Sequence, residues 1–308
     1  MGSMESAILG ARSHRTLTVV QALNLGTQVL SRAGVQGARL ESEVLLGLTL
    51  GWKREKLYTQ NTDPLNASEQ VEFHSLLDRR AHGEPSAYIV GRREFWSLEF
   101  HVTPAVLIPR PETETLVEIA LQQMNTLKEW CATARETQSL RILELGTGSG
   151  AIAVSLAKER GDIEIWATDL SVAALEVARA NAEHHNVCDR IHFLHGDIFD
   201  PVSERQCFFH GIISNPPYVR RGEFARLSRE VLCEPRSALD GGTDGLDLYR
   251  RIISNGRHHL QDGGFMTLEI GADMGTHLSR QFKSSGGYSA AYLCPSIISS
   301  SLRRRRSP

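Results

Sequence analysis

One short segment combines side-chain and backbone groups that could hold a planar amino group. Asn215-Pro216-Pro217-Tyr218 directly follows the apolar stretch 211–214. The two prolines fix the backbone and remove two amide donors, so the carbonyl oxygens of the segment are left as acceptors. Asn215 adds an acceptor oxygen and a donor amine, and Tyr218 adds a flat face. Together these groups suit an NH2 group attached to a carbonyl or a ring, with a plain Pro-Pro turn as the simpler alternative.

Methyl transfer to an amide nitrogen is the chemistry that these groups fit. An amide nitrogen is a poor nucleophile because its lone pair is delocalised into the carbonyl. If Asn215 and the carbonyl of Pro216 accept both N–H bonds, the lone pair can be aimed in line with a methyl donor. Such a site works by orientation and by electrostatics, and it needs no metal. We therefore predict Asn215, Pro216 and Tyr218 as the catalytic residues.

A second segment, residues 144–150, has the glycine spacing of a nucleotide-binding turn. Its glycines allow a sharp turn and a close approach to a ligand. The same spacing also satisfies the dinucleotide pattern, and a tight turn without a ligand is a further alternative. Glu144 favours S-adenosylmethionine (SAM), because a carboxylate suits the positive amino acid part of SAM better than a pyrophosphate. The SAM-binding residues predicted here are Glu144, Gly146, Thr147, Gly148, Ser149 and Gly150.

Two acidic residues follow the next predicted strands. Asp169 lies about 20 positions after the glycine loop, where a carboxylate can accept hydrogen bonds from ribose hydroxyls. It could equally serve the start of the helix near Ser171, and both roles can coexist. Asp197 is placed to contact an adenine amino group, with a solvated loop acid as an equally good alternative. Both residues are added to the predicted nucleoside site.

The elements that must position these groups alternate between strand and helix from residue 140 onward. The predicted strands are 140–145, 163–168, 191–194, 211–214 and 265–270, and the predicted helices are 151–159, 171–186 and 246–258. This alternation indicates a parallel sheet wrapped by helices. The predicted fold class is therefore α/β: a doubly wound, Rossmann-like SAM-dependent methyltransferase sheet with a small N-terminal helical domain.

The chain before this sheet divides into two further regions. Residues 16–86 read as a helical domain, with Leu40, Val44, Leu45 and Leu48 at helical spacing and a capping box from Asn66 to Glu69. Residues 87–111 read as a β-hairpin and linker. The hairpin is taken to begin at Tyr88-Ile89-Val90 and to turn at Gly91, and the prolines around Arg110 stiffen the linker. The methyltransferase domain then covers 112–290, and 291–308 reads as a basic, Ser-rich tail.

Composition narrows the classes of partner. The chain has 308 residues with 34 basic and 36 acidic side chains, a net charge of −2. Proteins that coat nucleic acid usually show a strong basic excess, which this chain lacks apart from Arg303–Arg306. No two cysteines have CxxC spacing, which favours reduced thiols. We expect a monomeric protein without membrane contact that is cytoplasmic, or mitochondrial if the source is eukaryotic.

Several motifs together resemble one known family. Residues 144–150 with 215–218 are similar to the amino-methyltransferases that act on adenine or on glutamine. Three more segments narrow this resemblance: 92–96 (Arg-Arg-Glu-Phe-Trp), 108–114 (Ile-Pro-Arg-Pro-Glu-Thr-Glu) and 234–239 (Glu-Pro-Arg-Ser-Ala-Leu). Over residues 18 to 286 the chain resembles the HemK/PrmC family of peptide chain release factor glutamine methyltransferases.

The resemblance implies roles for these segments. The glycine loop, Asp169, Asp197-Ile198 and Asn215 would bind SAM, and Ile198 stands where some members carry a large aromatic. Residues Asn215, Pro216, Pro217 and Tyr218 would bind the target glutamine, with Arg110 in the wall of that pocket. The helical domain would bind the release factor, and the reaction would methylate N5 of the glutamine in its Gly-Gly-Gln loop. Family members usually end with two further strands, where this chain has Ser-rich sequence.

Three alternatives remain open at this stage. An adenine-specific nucleic-acid methyltransferase would share both loops but would need a basic surface or a base-reading domain. A ribosomal protein could supply the glutamine in place of a release factor. A non-catalytic binding protein that kept the fold is suggested by the unusual carboxyl end alone.

Overall fold

The computed structural model describes residues 16–133, 139–205, 208–288, 292–294 and 296–301. The chain divides into two compact units, with the boundary between Val90 and Gly91. The first unit is helical and the second contains the large sheet. In the described residues, no helix has the length and apolar character needed to cross a membrane.

The described residues of the first unit, 16–90, form five helices. They are α1 Val19–Arg32, α2 Ala38–Leu50, α3 Arg54–Thr59, α4 Ala67–Ala81 and α5 Ser86–Val90. The predicted capping box is confirmed: the Asn66 side chain accepts from the Glu69 amide, and the Glu69 side chain accepts from the Asn66 amide. A second capping box joins Thr18 and Gln21 at the start of α1. These caps satisfy amide groups that have no partner within the helix.

Helix α2 buries only Leu45 of the four apolar residues whose spacing predicts it. Leu45 and Leu46 are fully buried in the core of this unit. Leu40, Val44 and Leu48, which predict the helix correctly, are 50%, 40% and 36% exposed. Residues four apart lie on one side of a helix, so these three form an apolar stripe on the surface.

The second unit begins with a two-stranded hairpin, β1 Arg92–Phe95 and β2 Leu98–His101. Trp96 and Ser97 both have positive φ angles, 53° and 55°, as a two-residue hairpin turn requires. The prediction that the hairpin begins at Tyr88-Ile89-Val90 is wrong, because these residues belong to α5. The amides of Tyr88 and Ile89 both donate to the carbonyl of Pro85, which starts a helical turn.

In the part of the chain that the structure describes, the main sheet has seven strands in the order β5-β4-β3-β6-β7-β9-β8. They are β3 Leu140–Leu145, β4 Ile163–Asp169, β5 Ile191–His195, β6 Phe209–Ser214, β7 Leu260–Glu269, β8 Tyr292–Cys294 and β9 Ile297–Ser301. The first five are parallel, which confirms the predicted sheet. The helices are α6 Glu114–Thr133, α7 Ala151–Glu159, α8 Val172–His184, α9 Arg229–Leu232, α10 Asp247–Gly256 and α11 Gly275–Ser284. Apolar clusters cover both faces, so the central strands are almost continuously buried.

The carboxyl end corrects the expectation of a tail from residue 291. Strand β9 pairs antiparallel with β7, from Phe265–Ser301 to Glu269–Ile297, and β8 pairs with β9. Ile297 and Ile298 are fully buried, and the Ser299 and Thr267 hydroxyls lie 3.0 Å apart. Serine therefore fits this strand because its hydroxyls find partners within the sheet. The arginine run 303–306 lies outside the described residues.

Candidate active site

A cavity of about 280 Å³ opens at the carboxyl ends of the parallel strands. The strand order reverses beside β3, and such a switch point is where α/β sheets usually bind ligands. Loops that follow four strands line the cavity, so the structure brings together segments predicted separately from the sequence. Among the lining residues are Gly146, Gly148, Asp169, Asp197, Ile198, Asn215, Pro216 and Pro217.

The three glycines of the loop serve two purposes. All three have positive φ angles: 73° at Gly146, 56° at Gly148 and 79° at Gly150. A Cβ built on Gly150 would lie 3.1 Å from the Cβ of Ala178, so this glycine allows close helix packing. A Cβ on Gly146 or Gly148 would meet no described atom within 4 Å. The cavity beside these two glycines is therefore open space that a ligand could occupy.

Asp169 holds the glycine loop in place. Its Oδ2 accepts a hydrogen bond from the amide of Gly148 at 2.8 Å, and its Oδ1 accepts from the amide of Ser171 at 2.9 Å. The side chain of Ser171 caps α8 by accepting from the amide of Ala174. The capping role therefore belongs to Ser171. Asp169 lines the cavity, and each carboxylate oxygen retains a lone pair that could accept from ribose hydroxyls.

Glu144 lies beneath the loop and is 1% exposed. Its Oε2 accepts from the Thr147 hydroxyl at 2.7 Å, whereas Oε1 has no hydrogen bond of normal geometry within the part of the chain that the structure describes. The pKa of this carboxyl group is raised to about 8, mainly by burial; the hydrogen bond from the Thr147 hydroxyl opposes this rise, and the charge of Asp169 adds to it. A buried acceptor without a partner favours a nearby positive charge. The residue thus fits the cationic amino acid part of SAM, although it is not among the described residues that line the cavity.

The raised pKa of Glu144 predicts a pH dependence of stability. Between pH 4.5 and 8 the unfolded chain has lost this proton while the folded protein keeps it. Without SAM, the free energy of unfolding should therefore fall by roughly 1 kcal/mol for each pH unit in this range. Glu144→Gln should remove this contribution. Urea unfolding of both proteins at pH 5 and pH 8 measures it.

The same substitution separates stability from binding. Above pH 8, where Glu144 is ionised, Glu144→Gln should weaken SAM binding in calorimetry, because a neutral amide attracts a cation less than a carboxylate does. If the two proteins lose equal stability between pH 5 and pH 8, the assigned charge state of Glu144 is contradicted.

The loop after β5 combines an ion pair with an unusual backbone. Asp197 accepts a hydrogen bond from Arg251 Nη2 at 2.7 Å, and both side chains are partly exposed. Ile198 has a φ of 48°, a conformation rare for β-branched residues. The carbonyl of Ile198 accepts from the Thr168 hydroxyl at 3.3 Å. Strained residues of this kind are found preferentially at ligand sites.

The Asn-Pro-Pro-Tyr loop reaches the cavity through three of its four residues. Asn215, Pro216 and Pro217 line it, whereas Tyr218 is not among the lining residues that the structure describes. Burial raises the pKa of the Tyr218 hydroxyl, and the charge of Glu269 adds to this effect. The Nδ2 of Asn215 donates to Thr113 Oγ1 at 3.1 Å.

Arg110 makes a different contact from the predicted one with substrate. Its guanidinium donates to Glu234, whose side chain is 1% exposed. The other oxygen of Glu234 accepts from the amide of Ile108 at 3.0 Å. This carboxylate therefore anchors the Pro-rich segment, and the neighbouring residues 105–107 line the cavity. In the described chain Arg110 is not a lining residue, and its contact with a glutamine stays a prediction.

Sequence reasoning missed two residues beside Asn215. Thr113 and Glu269 are 5% and 4% exposed. Thr113 and the Asn215 side chain both lower the pKa of Glu269. Thr113 lies inside segment 108–114, one of the motifs that carry the family resemblance. That motif was the sequence signal that could have identified it. Glu269 ends an apolar strand and carries no motif of its own.

Comparisons with known proteins agree with this geometry. A model of the PrmC N-terminal domain matches residues 21–91, and a model of the methyltransferase small domain matches residues 130–245. The hMettl16 catalytic domain, solved with the MAT2A 3′UTR hairpin 6, has a TM-score of 0.53 at 15% identity. It covers 75% of this chain and 82% of its own length, and supports the fold alone. The fold, the cavity and the domain matches define the class: the protein is a SAM-dependent methyltransferase.

Relatives of known name define the family. The release factor glutamine methyltransferase of Moorella thermoacetica is 39% identical over 279 residues, covering 91% of this chain and 94% of the relative. That of Burkholderia pseudomallei is 42% identical over 238 residues, covering 76% and 80%. The chain belongs to the release factor glutamine methyltransferase family.

Proposed function

We propose that the protein transfers a methyl group from SAM to N5 of the glutamine in the Gly-Gly-Gln loop of a peptide chain release factor. One observation carries this proposal: Asn215 and Pro216 line the same cavity as Gly146 and Gly148 of the glycine loop. A planar amide and a methyl donor could therefore meet there. The names of the relatives support glutamine as the acceptor and a release factor as the substrate.

The site residues act mainly by orienting the amide. Bound SAM would supply a methyl group on a positively charged sulfur. Asn215 Oδ1 and the Pro216 carbonyl would accept the two N–H bonds of the glutamine, because Asn215 Nδ2 is already engaged by Thr113. The nitrogen would form a bond to the methyl carbon while the carbon–sulfur bond breaks and sulfur keeps the electron pair. The nitrogen would then release one proton to solvent.

The helical unit supports a protein substrate. Its surface carries the apolar stripe of Leu40, Val44 and Leu48 on α2. Apolar residues that remain exposed together often mark protein contacts. Because the chain belongs to the release factor glutamine methyltransferase family, we propose that a release factor binds this stripe. Because release factors act in translation, we infer that this protein works in the cytoplasm or in mitochondria.

Val44→Asp should raise the KM for the release factor by about tenfold, because a buried charge at an interface costs over 1 kcal/mol. The kcat and the SAM affinity should stay within about twofold. Val71→Asp is the matched control, since Val71 is 72% exposed on α4. Steady-state kinetics with purified release factor measure all three quantities. Equal KM values for the two variants would show that the stripe does not bind the release factor.

Mass spectrometry tests the proposed product. A release factor incubated with the protein and SAM should gain one methyl group on the glutamine of its Gly-Gly-Gln peptide. A ribosomal-protein fraction incubated in parallel serves as the control substrate. Methyl groups found on the ribosomal proteins, with the release factor unmodified, would replace the substrate proposed here.

A further inference from the structure

A buried carboxyl group lies beside Asn215 at the edge of the sheet. In the parallel pair β6–β7, Ser214 is opposite Leu268, so Asn215 and Glu269 follow as neighbours at the carboxyl ends. Glu269 is 4% exposed, and its Oε2 has no hydrogen-bond partner among the described residues. A buried carboxyl oxygen without a partner is costly, so its retention beside the cavity calls for a physical reason.

Thr113 connects this carboxyl group to Asn215. Its hydroxyl oxygen accepts from Asn215 Nδ2 at 3.1 Å, and the hydroxyl keeps one proton to donate. Burial raises the pKa of Glu269, whereas hydrogen bonding by Thr113 and Asn215 lowers it. Both side chains therefore stabilise the charged form of this carboxyl group. The three groups form one cluster with Glu269 as its acceptor end.

This arrangement selects one of the two orientations of the Asn215 amide. With Nδ2 facing Thr113 and Glu269, Oδ1 faces away from them and is free to accept an N–H bond. A flipped amide would place Oδ1 against the carboxylate, where two acceptors repel each other. Amide orientations are decided by such networks of donors and acceptors.

We propose that Thr113 and Glu269 are positioning residues that fix the amide of Asn215 with its oxygen towards the substrate nitrogen. This inference rests on the proposed function, because Asn215 Oδ1 is useful only if the substrate presents an N–H bond. The same orientation would favour an NH2 group as the methyl acceptor, because it has two N–H bonds to donate. A hydroxyl group has only one O–H bond to donate. Thr113 and Glu269 thus contribute to the choice of an amide as the methyl acceptor.

Other ionisable groups surround Glu269 and belong to the same electrostatic site. The charge of Glu112 raises the pKa of Glu269 and that of Arg110 lowers it. Tyr249 donates to the Glu269 backbone carbonyl at 2.7 Å, and Glu269 raises the pKa of both Tyr249 and Tyr218. The net pKa of Glu269 is raised. As the solution is acidified, Glu269 therefore becomes protonated at a higher pH than an ordinary glutamate does.

Substitution of Thr113 tests the hydroxyl separately from the packing. Thr113→Val keeps the shape but removes the acceptor, and we expect kcat to fall by about 100-fold, as misorientation at a reacting centre does. Thr113→Ser keeps the hydroxyl and should recover most of this loss. SAM affinity and the KM for release factor should change by about threefold at most, which shows that both variants are folded.

Glu269→Gln tests the carboxylate. In the wild type, kcat should decline as Glu269 becomes protonated on acidification. The maximal kcat of Glu269→Gln should be about tenfold lower than that of the wild type. The acid limb of the pH profile, meaning the decline of kcat on acidification, should be absent from this variant. The pH profile is measured at saturating SAM and release factor, so that it reports the bound complex. A purely structural role of Glu269 would leave the acid limb in place.

The outcomes separate this inference from the proposed function. A wild type that methylates release factor, with Thr113→Val within about threefold of its kcat, overturns the inference alone. Thr113→Ser as impaired as Thr113→Val also overturns it, because the hydroxyl would then be irrelevant. A wild type that binds SAM but methylates no glutamine contradicts the proposed function and, with it, the positioning role.

Discussion

Replacing Asn215 by alanine is expected to lower kcat for glutamine methylation by about 10²–10³-fold, the usual effect of removing one preorganised hydrogen-bonding group. The side chain lies at the end of β6 and lines the cavity, and Thr113 engages its Nδ2 at 3.1 Å. Without Oδ1, one N–H bond of the substrate loses its acceptor. The nitrogen lone pair is then no longer held in line with the methyl group.

The effect should fall on the chemical step more than on cofactor binding. SAM affinity, measured by calorimetry, should change by only a few-fold, since the glycine loop and Asp169 remain intact. Asn255→Ala on α10 is the matched control, because Asn255 is exposed and donates to the Arg251 carbonyl. If Asn215→Ala keeps its kcat within a few-fold of wild type, Asn215 does not position the nucleophile.

Replacing Gly148 by valine is expected to abolish detectable SAM binding. A Cβ at Gly148 points into open space beside the cavity, so the valine methyl groups would occupy the place of the ligand. The φ of 56° also disfavours a β-branched residue and should cost about 1–2 kcal/mol of stability. The amide of Gly148 holds Asp169, and any shift of the loop would disturb this contact as well.

A second glycine separates backbone strain from the filled cavity. Gly286 has a φ of 67° and open space around its Cβ position in the described structure, but it lies away from the lining residues. Gly286→Val should therefore lose similar stability and keep its SAM affinity. Calorimetry and thermal unfolding of both variants provide the comparison. Normal SAM binding by Gly148→Val, or binding of NAD in place of SAM by the wild type, would disprove the assignment of the loop.

Local motifs allowed much of the site to be predicted from the sequence. The glycine loop, Asp169 and the Asn-Pro-Pro-Tyr segment each follow a strand whose apolar run is visible in the sequence. Parallel strands place their carboxyl ends at one edge, so these segments had to converge. The contacts between these segments could not be predicted from the sequence, because they depend on how distant strands align in the sheet. Asp169 accepts from the amide of Gly148, and Glu269 is a neighbour of Asn215.

The errors have particular physical causes. Tyr88-Ile89-Val90 has strand-forming residues, yet the Pro85 carbonyl accepts from two of their amides and a helical turn forms there. Strand β9 is rich in serine, so its pattern resembles a loop until pairing with β7 supplies partners for the hydroxyls. Leu40, Val44, Leu45 and Leu48 mark a helix correctly, but spacing alone cannot tell that only Leu45 of the four is buried.

Labelling with radioactive SAM tests the central claim most directly. The protein is incubated with labelled SAM and three substrates: a release factor, the same release factor with its Gly-Gly-Gln glutamine replaced by alanine, and duplex DNA. Asn215→Ala is run in parallel as the inactive control. We predict label on the first substrate and none on the other two. Label on DNA adenine, with the release factor unlabelled, would contradict the account.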